Sequence, residues 1–230
     1  MNRNLRPVER RTSVDDIFDY LHGEILSLNL RPGDKISEAD IAARFGVSRQ
    51  PVRDAFSRLS NLDLLLIRPQ RATEVRRFSM REIIKSRFVR AAVENEVLRR
   101  AARFSDAESK VLLEAELEKQ EASLHDQDVE RFGQLDYDFH RTLCSIAKAD
   151  FAFDVIMAEK AKVDRLCVLG RSKETRMPEL VEDHRAIAEA VIAHDQERAV
   201  AVEMIHLSRL DETIERITAT NASYFEPEDF

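Results

Sequence analysis

Hydrophobic and polar positions along this chain follow a helical period almost throughout. Val14, Ile17, Phe18, Leu21, Ile25 and Leu28 recur at helical spacing after Ser13, with Asp15 and Asp16 in the first turn, and predict an opening amphipathic helix. Arg31-Pro32-Gly33-Asp34 reads as a turn and Lys35-Ile36 as a short strand. Ser37 to Leu59 then reads as two short helices. Ile41, Ala42 and Phe45 form the apolar face of the first, and Gly46 ends it where a left-handed residue is easiest. Ser48 is predicted to cap the second, whose buried side is Val52, Ala55, Phe56 and Leu59 and which runs to about Leu62. Pro51 lies in its first turn, where a missing N–H costs nothing. Leu64 to Ile67 is a β-like run, Arg68-Pro69-Gln70-Arg71 a turn, and Thr73 to Arg77 the return, which together predict a two-stranded wing with Arg71 near its tip.

From Ser79 onward the pattern is helical only. Ser79 and Glu82 form a capping box ahead of a long helix marked by Ile83/Ile84, Phe88, Ala91/Ala92, Val97/Leu98 and Ala101/Ala102. Ser105 opens the next, and residues 128–148, 151–169, 178–194 and 195–220 supply four more. Six helices with short connections predict a bundle. Residues 1–12 read as a flexible basic arm and 221–230 as a frayed tail. The fold class is therefore mainly α, with a domain over 1–78 that carries a small β wing and an all-α domain over 79–230.

Composition changes this picture in one respect. Over 230 residues the net charge is −7, which argues against a nucleic-acid binder. Divided at the predicted boundary, residues 1–78 hold 14 Lys+Arg against 11 Asp+Glu, and residues 79–230 hold 22 against 32. The basic part is the part with the two short helices. Cys144 and Cys167 have no metal-ligand spacing and lie within helical patterns, so they read as reduced core residues of a cytoplasmic protein. No apolar run reaches membrane-spanning length, and the first residues lack a signal sequence's apolar stretch.

The two short helices have the form of a helix-turn-helix, in which one helix braces and the second offers its first side chains to a major groove. Ser48, Arg49, Gln50 and Arg53 stand at that exposed start. Arg can bridge guanine O6 and N7, Gln can pair with adenine, and Ser can donate to phosphate. The same residues would also serve an ordinary helical hairpin with a solvated basic rim. Arg71 on the wing could enter a minor groove, where the negative potential favours arginine, or could be incidental to a surface hairpin.

Pro32 to Val75, PGDKISEADIAARFGVSRQPVRDAFSRLSNLDLLLIRPQRATEV, resembles the winged helix of the GntR family of bacterial transcription regulators. The GVSRQPVR core carries the likeness. The resemblance implies DNA contacts at Ser48, Arg49, Gln50, Arg53 and Arg71. Two positions depart from the family pattern: Asp63 replaces a usual Gly, and Ala72 replaces the Gly after the wing arginine. Asp tolerates a left-handed backbone better than most residues.

In the helical half, Asp136 and His140 are spaced to share one helical face, whose inner side carries Phe139, Leu143 and Ile146. His184 lies on a stripe with Ile187, Ala188 and Val191, and His206 is read on a face with Val202, Ile205 and Leu210. Three imidazoles and a carboxylate turned toward one core could satisfy one another by binding a divalent metal, Zn²⁺, Ni²⁺ or Mn²⁺ rather than Ca²⁺ or Mg²⁺. A single inward histidine is more commonly satisfied by a core hydrogen bond, so the pattern alone leaves both readings open. His22, His125 and His194 read as structural or surface residues.

LDYDFHRTL, VEDHRAIAEAVIAHD and AVEMIHLSRL resemble the metal-binding FCD effector domain of the FadR-type GntR branch. That likeness implies Asp136, His140, His184 and His206 as ligands and Arg90, in Arg90-Ala-Ala-Val-Glu94, as a clamp for a carboxylate effector, with Arg87 and Arg165 as further candidates. It implies a homodimeric regulator, read as a repressor, that binds a palindromic operator and senses a small organic or sugar acid through a metal pocket. Two alternatives stay open. The metal could be purely structural, or the site could be an enzyme acting on a carboxylic acid, for which no general base stands at motif spacing.

Overall fold

The computed structural model describes residues 13–169 and 172–227. The arm predicted for residues 1–12 lies outside them. Two compact units emerge: one runs to Phe78 and takes in Tyr224–Glu226, and the other runs from Ser79 to Ser223.

The first unit comprises α1 (Ser13–Leu26), β1 (Lys35–Ile36), α2 (Glu38–Phe45), α3 (Arg49–Asn61), β2 (Leu65–Leu66) and β3 (Thr73–Val75). The strands pair antiparallel in the order β1-β3-β2, with Lys35 opposite Glu74 and Leu65 opposite Val75. Ile17, Leu21 and Ile25 from α1 and Val52, Phe56 and Leu59 from α3 are buried together with Leu65 and Val75. The Ser37 hydroxyl accepts from the N–H groups of Ala39 and Asp40, and Gly46 closes α2 at φ 65°. Ser48 occupies the capping position of α3 but makes no side-chain cap bond, contrary to expectation. The reason is local: a cap side chain bonds the second or third N–H of its helix, and the third residue here is Pro51, which has none. The Ser48 hydroxyl is thereby left for other partners.

Both departures from the family pattern find an answer in the backbone. Asp63 adopts φ 57°, the conformation its Gly counterpart would take, and its carboxylate pairs with Arg76. At the wing tip the positive φ falls on Gln70 (59°), not on Ala72. Pro69 precedes Gln70, and the Arg71 N–H donates to Arg68 O, the pattern of a tight turn whose third residue is left-handed. The tail is not frayed over its described part. The Phe78 N–H donates to Tyr224 O, the Glu226 N–H donates to Phe78 O, and Phe78 and Phe225 are buried with ring centroids 5.6 Å apart.

The second unit is helical: α4 (Met80–Phe104), α5 (Ala107–His125), α6 (Val129–Ile146), α7 (Phe151–Leu169), α8 (Ser172–Ile192), α9 (Gln196–Ser208) and α10 (Asp211–Thr220). Two boundaries differ from expectation. Pro178 does not start α8 but lies inside it. The single helix expected over 195–220 is broken at Arg209–Leu210, where the Arg209 guanidinium forks onto both oxygens of Asp183 on α8. Phe139, Leu143, Leu98, Leu113, Ile156, Ile187 and Val191 form the main core. The stripe read on α4 is not wholly inward, since Ile84 is 64% and Phe88 75% exposed, while Ser86, Arg90 and Glu94 are buried.

Candidate DNA-reading surface and metal centre

On the first unit, Ser48, Arg49, Gln50 and Arg53 all lie exposed at the start of α3, and Arg71 is exposed on the wing. Arg49 and Arg71 line one open groove with Lys35, Glu38, Ala72 and Thr73. Arg53 Nε donates to Glu38 Oε2 at 2.9 Å, so α2 braces the guanidinium of α3. The Gln50 amide donates to Asp54 Oδ1 at 2.9 Å, one turn along the same helix. Arg49 therefore differs from its neighbours in facing the groove that the wing also walls.

In the second unit the four residues singled out as ligands are brought together. The three imidazoles of His140, His184 and His206 each place a ligand atom within 4.8 Å of the others. Asp136 Oδ1 lies 3.8 Å from His140 Nε2 and 3.5 Å from His184 Nε2. All four are buried. The tautomers follow from the surroundings. Gln120 donates its amide N–H to Leu135 O at 3.3 Å, which turns its Oε1 to His184 Nδ1 at 2.7 Å and makes Nδ1 the donor. Glu94 Oε2 lies 3.0 Å from His140 Nδ1. The opposite nitrogens, His140 Nε2 and His184 Nε2, have no hydrogen-bond partner among the described residues. His206 Nδ1 lies 3.5 Å from Asp183 Oδ2.

This arrangement suits a metal: the Nε2 atoms of His140 and His184 stand beside a carboxylate oxygen without hydrogen bonds, the Gln120 amide oxygen holds His184 from behind, and the carboxylates of Glu94 and Asp183 lie near the Nδ1 atoms of His140 and His206. Residues and donor set fit a divalent transition ion. Electrostatics agree. Burial, with the charges of neighbouring imidazoles, holds His184 well below the ordinary imidazole range, and burial lowers His206 also, so both favour the neutral, ligating form. Burial alone would raise the Asp136 carboxyl, but Lys160 and the two imidazoles beside it hold it well below the usual range.

Several neighbours of the cluster have no role assigned from the sequence: Glu94 and Gln120 behind the imidazoles, Asp183 behind His206, Glu203, and Lys160, whose Nζ lies 2.7 Å from Asp136 Oδ2. Glu203, not Ile205, accompanies His206 inward, since Glu203 is buried and Ile205 is exposed. Burial pushes the Glu203 carboxyl well above its usual range, with Glu94 adding to the shift. The one sequence signal for this shell is a charged residue one turn away from a ligand or clamp, as in Arg90/Glu94.

A cavity of about 40 Å³ adjoins the cluster, walled by Arg90, Asp136, Lys160, Asp164, Arg176 and His206 among others. Of the predicted effector arginines, Arg90 lines it, with Nε 2.7 Å from Glu94 Oε1. Arg87 does not. It pairs with Asp211, and it walls a separate, shallower cavity together with Arg90. Arg165 is buried on α7 but is not among the lining residues, and burial lowers its pKa to about 10.

A basic winged helix-turn-helix in one unit and a helical bundle around a histidine-rich centre in the other are the parts of a DNA-binding transcription regulator. The chain belongs to the GntR family: residues 13–75 match the gntR family of bacterial regulatory proteins, and residues 86–209 match the FCD domain. It is 32% identical over 212 residues, covering 92% of this chain and 93% of the relative, to the HTH-type transcriptional repressor RspR of Escherichia coli K12. It is 31% identical to an HTH-type transcriptional regulator in an unstable DNA locus of Streptomyces ambofaciens, over 94% of this chain and 90% of that protein. Among solved structures, E. coli McbR/YncC shares the fold with a TM-score of 0.64 at 17% identity, covering 90% of this chain and 99% of that one.

Proposed function

We propose that this regulator is a repressor that senses a small organic or sugar acid through a divalent metal, most suitably Zn²⁺, held by Asp136, His140, His184 and His206. Ser48, Arg49, Gln50, Arg53 and the wing's Arg71 contact a palindromic operator in the cytoplasm, with phosphate neutralisation giving strong salt dependence. The protein works as a homodimer. The exposed Ile84 and Phe88 on α4 favour a second copy as their cover. An ion in the buried site would supply positive charge and open coordination positions for a carboxylate, with Arg90 positioned to clamp the acid from the cavity side.

The observation that carries the sensing half is the pair of inward, unpartnered Nε2 atoms of His140 and His184, which face the Asp136 carboxylate. Burying polar nitrogen without a partner costs roughly 1–3 kcal/mol each on mutational scales, which coordination would recover. The test uses the full-length protein, stripped with chelator and reloaded with Zn²⁺. Acetate, lactate, malonate and gluconate are then titrated while binding is read on a DNA fragment selected from a random pool. About one ion per chain and an acid-dependent change in operator Kd are expected. No response to any of these acids would remove the sensing half and leave the DNA half standing.

The complete burial of His184 favours a second reading, a structural ion that staples α6, α8 and α9. Under that reading Zn²⁺ raises the melting temperature while acids change neither stability nor operator binding.

A further inference from the structure

Two buried cations wall the cavity beside the histidine cluster, and each reaches the cluster through a carboxylate. Arg90 on α4 does so through Glu94, whose second oxygen lies 3.0 Å from His140 Nδ1. Lys160 on α7 does so directly, with Nζ 2.7 Å from Asp136 Oδ2, while Oδ1 of the same carboxylate is the oxygen nearest the two imidazoles. Lys160 also lies 3.2 Å from both oxygens of Asp164 and 4.8 Å from the centre of the Tyr137 ring. The Tyr137 hydroxyl donates to Asp164 at 2.8 Å and so fixes that carboxylate.

The charge balance of this chamber is informative. Arg90, Lys160 and Arg176 supply three lining cations, and the carboxylates of Asp136 and Asp164, with Glu94 on Arg90, balance them. If Asp136 is given over to a metal, Lys160 keeps only Asp164 as a full counter-charge. A divalent ion then leaves the chamber net positive, in a region where charge is poorly screened. One monocarboxylate would compensate part of that excess, and a second acidic group could replace Asp136 as a partner of the Lys160 ammonium. Space sets the other limit. The cavity is small, about 40 Å³, which limits any acid it takes to a short one.

We propose that Lys160 is the second anchor of the effector pocket, and that the pocket therefore selects a short dicarboxylate: one carboxylate on Arg90 and the metal side, the other on Lys160. This rests on the acid-sensing reading above and narrows its ligand class.

The test is isothermal titration of Zn²⁺-loaded full-length protein with malonate and succinate against acetate and propionate, at constant ionic strength. Wild type is expected to bind one of the diacids about 10–100-fold more tightly than the monoacids, the range of one charge-assisted hydrogen bond. Lys160→Met should erase most of that preference while monoacid affinity changes less than about threefold, and Lys160→Arg should restore part of it. Zn²⁺ content, measured in parallel, should stay at that of the wild type. Equal affinity for monoacids and diacids in the wild type, or equal loss of both in Lys160→Met, overturns the assignment of Lys160 while acid sensing survives. Absence of binding by all four acids overturns both. Should Lys160→Met fail to fold, the wild-type ratio alone decides.

Discussion

The two units hold their candidate site residues in opposite ways. In the winged unit Arg49, Arg53 and Arg71 stand in solvent, drawn from a short span of chain, and the partners they have are surface ones such as Glu38. In the helical unit Arg90, Gln120, Asp136, Lys160, His184 and His206 come from six different helices and are all buried. The contrast matches what the proposed function asks of each. A nucleic acid is large and charged and comes to the surface, so its readers must protrude and can be encoded locally. A small ion or acid must be taken out of water, so its ligands must be desolvated, and desolvated polar groups survive only when the whole fold supplies their partners.

The sharpest way to break the comparison is to damage one core and watch the other unit. Phe56→Ala, at a fully buried site on the inner face of α3, should cost about 3–5 kcal/mol and abolish operator binding while the Zn²⁺ content of the soluble protein is kept. Loss of bound metal in that variant would show that the two units are not separable. Next in size is the support of the metal site. Glu94→Gln should lower Zn²⁺ affinity about 10–100-fold in a chelator competition, with the affinity of the metal-free protein for DNA unchanged. A comparable loss is expected at the surface, where Arg49→Ala should weaken operator binding by roughly 1–3 kcal/mol. It should relax sequence preference if the guanidinium reads a base, and weaken all DNA uniformly if it meets a phosphate. The smallest effect separates two serines. Ser37→Ala should destabilise the protein by about 1 kcal/mol, because its hydroxyl caps α2, whereas Ser48→Ala should leave the melting temperature nearly unchanged and act only on DNA affinity.

Legibility in the sequence tracks this division. The helix-turn-helix, its turn at Gly46 and the wing could be read from contiguous residues, because capping, turn formation and apolar spacing act over a few positions. Asp63 was recognisable as a left-handed residue for the same reason. The convergence of Asp136, His140, His184 and His206 was legible only as four inward positions on separate helices, helped by a family likeness. Their support was not legible. Gln120 lies 64 residues from the His184 it orients, and periodicity points to Ile205 as the inward neighbour of His206, whereas Glu203 is the buried one. The outward Ile84 and Phe88 misled in the opposite sense, since an apolar stripe does not say whether it faces its own core or another surface.

By itself the sequence determined the helices, turn and wing of the first unit, that the basic charge sits in the first 78 residues, and which residue types could ligate a metal. Those properties rest on interactions between near neighbours along the chain. Only the tertiary structure decided that Lys160 and Glu94 stand against the ligands, that Arg165 does not line the cavity, and that the tail returns to Phe78. Such pairings depend on how distant helices pack, and a buried charge takes its meaning from the partners that packing brings within a few ångströms.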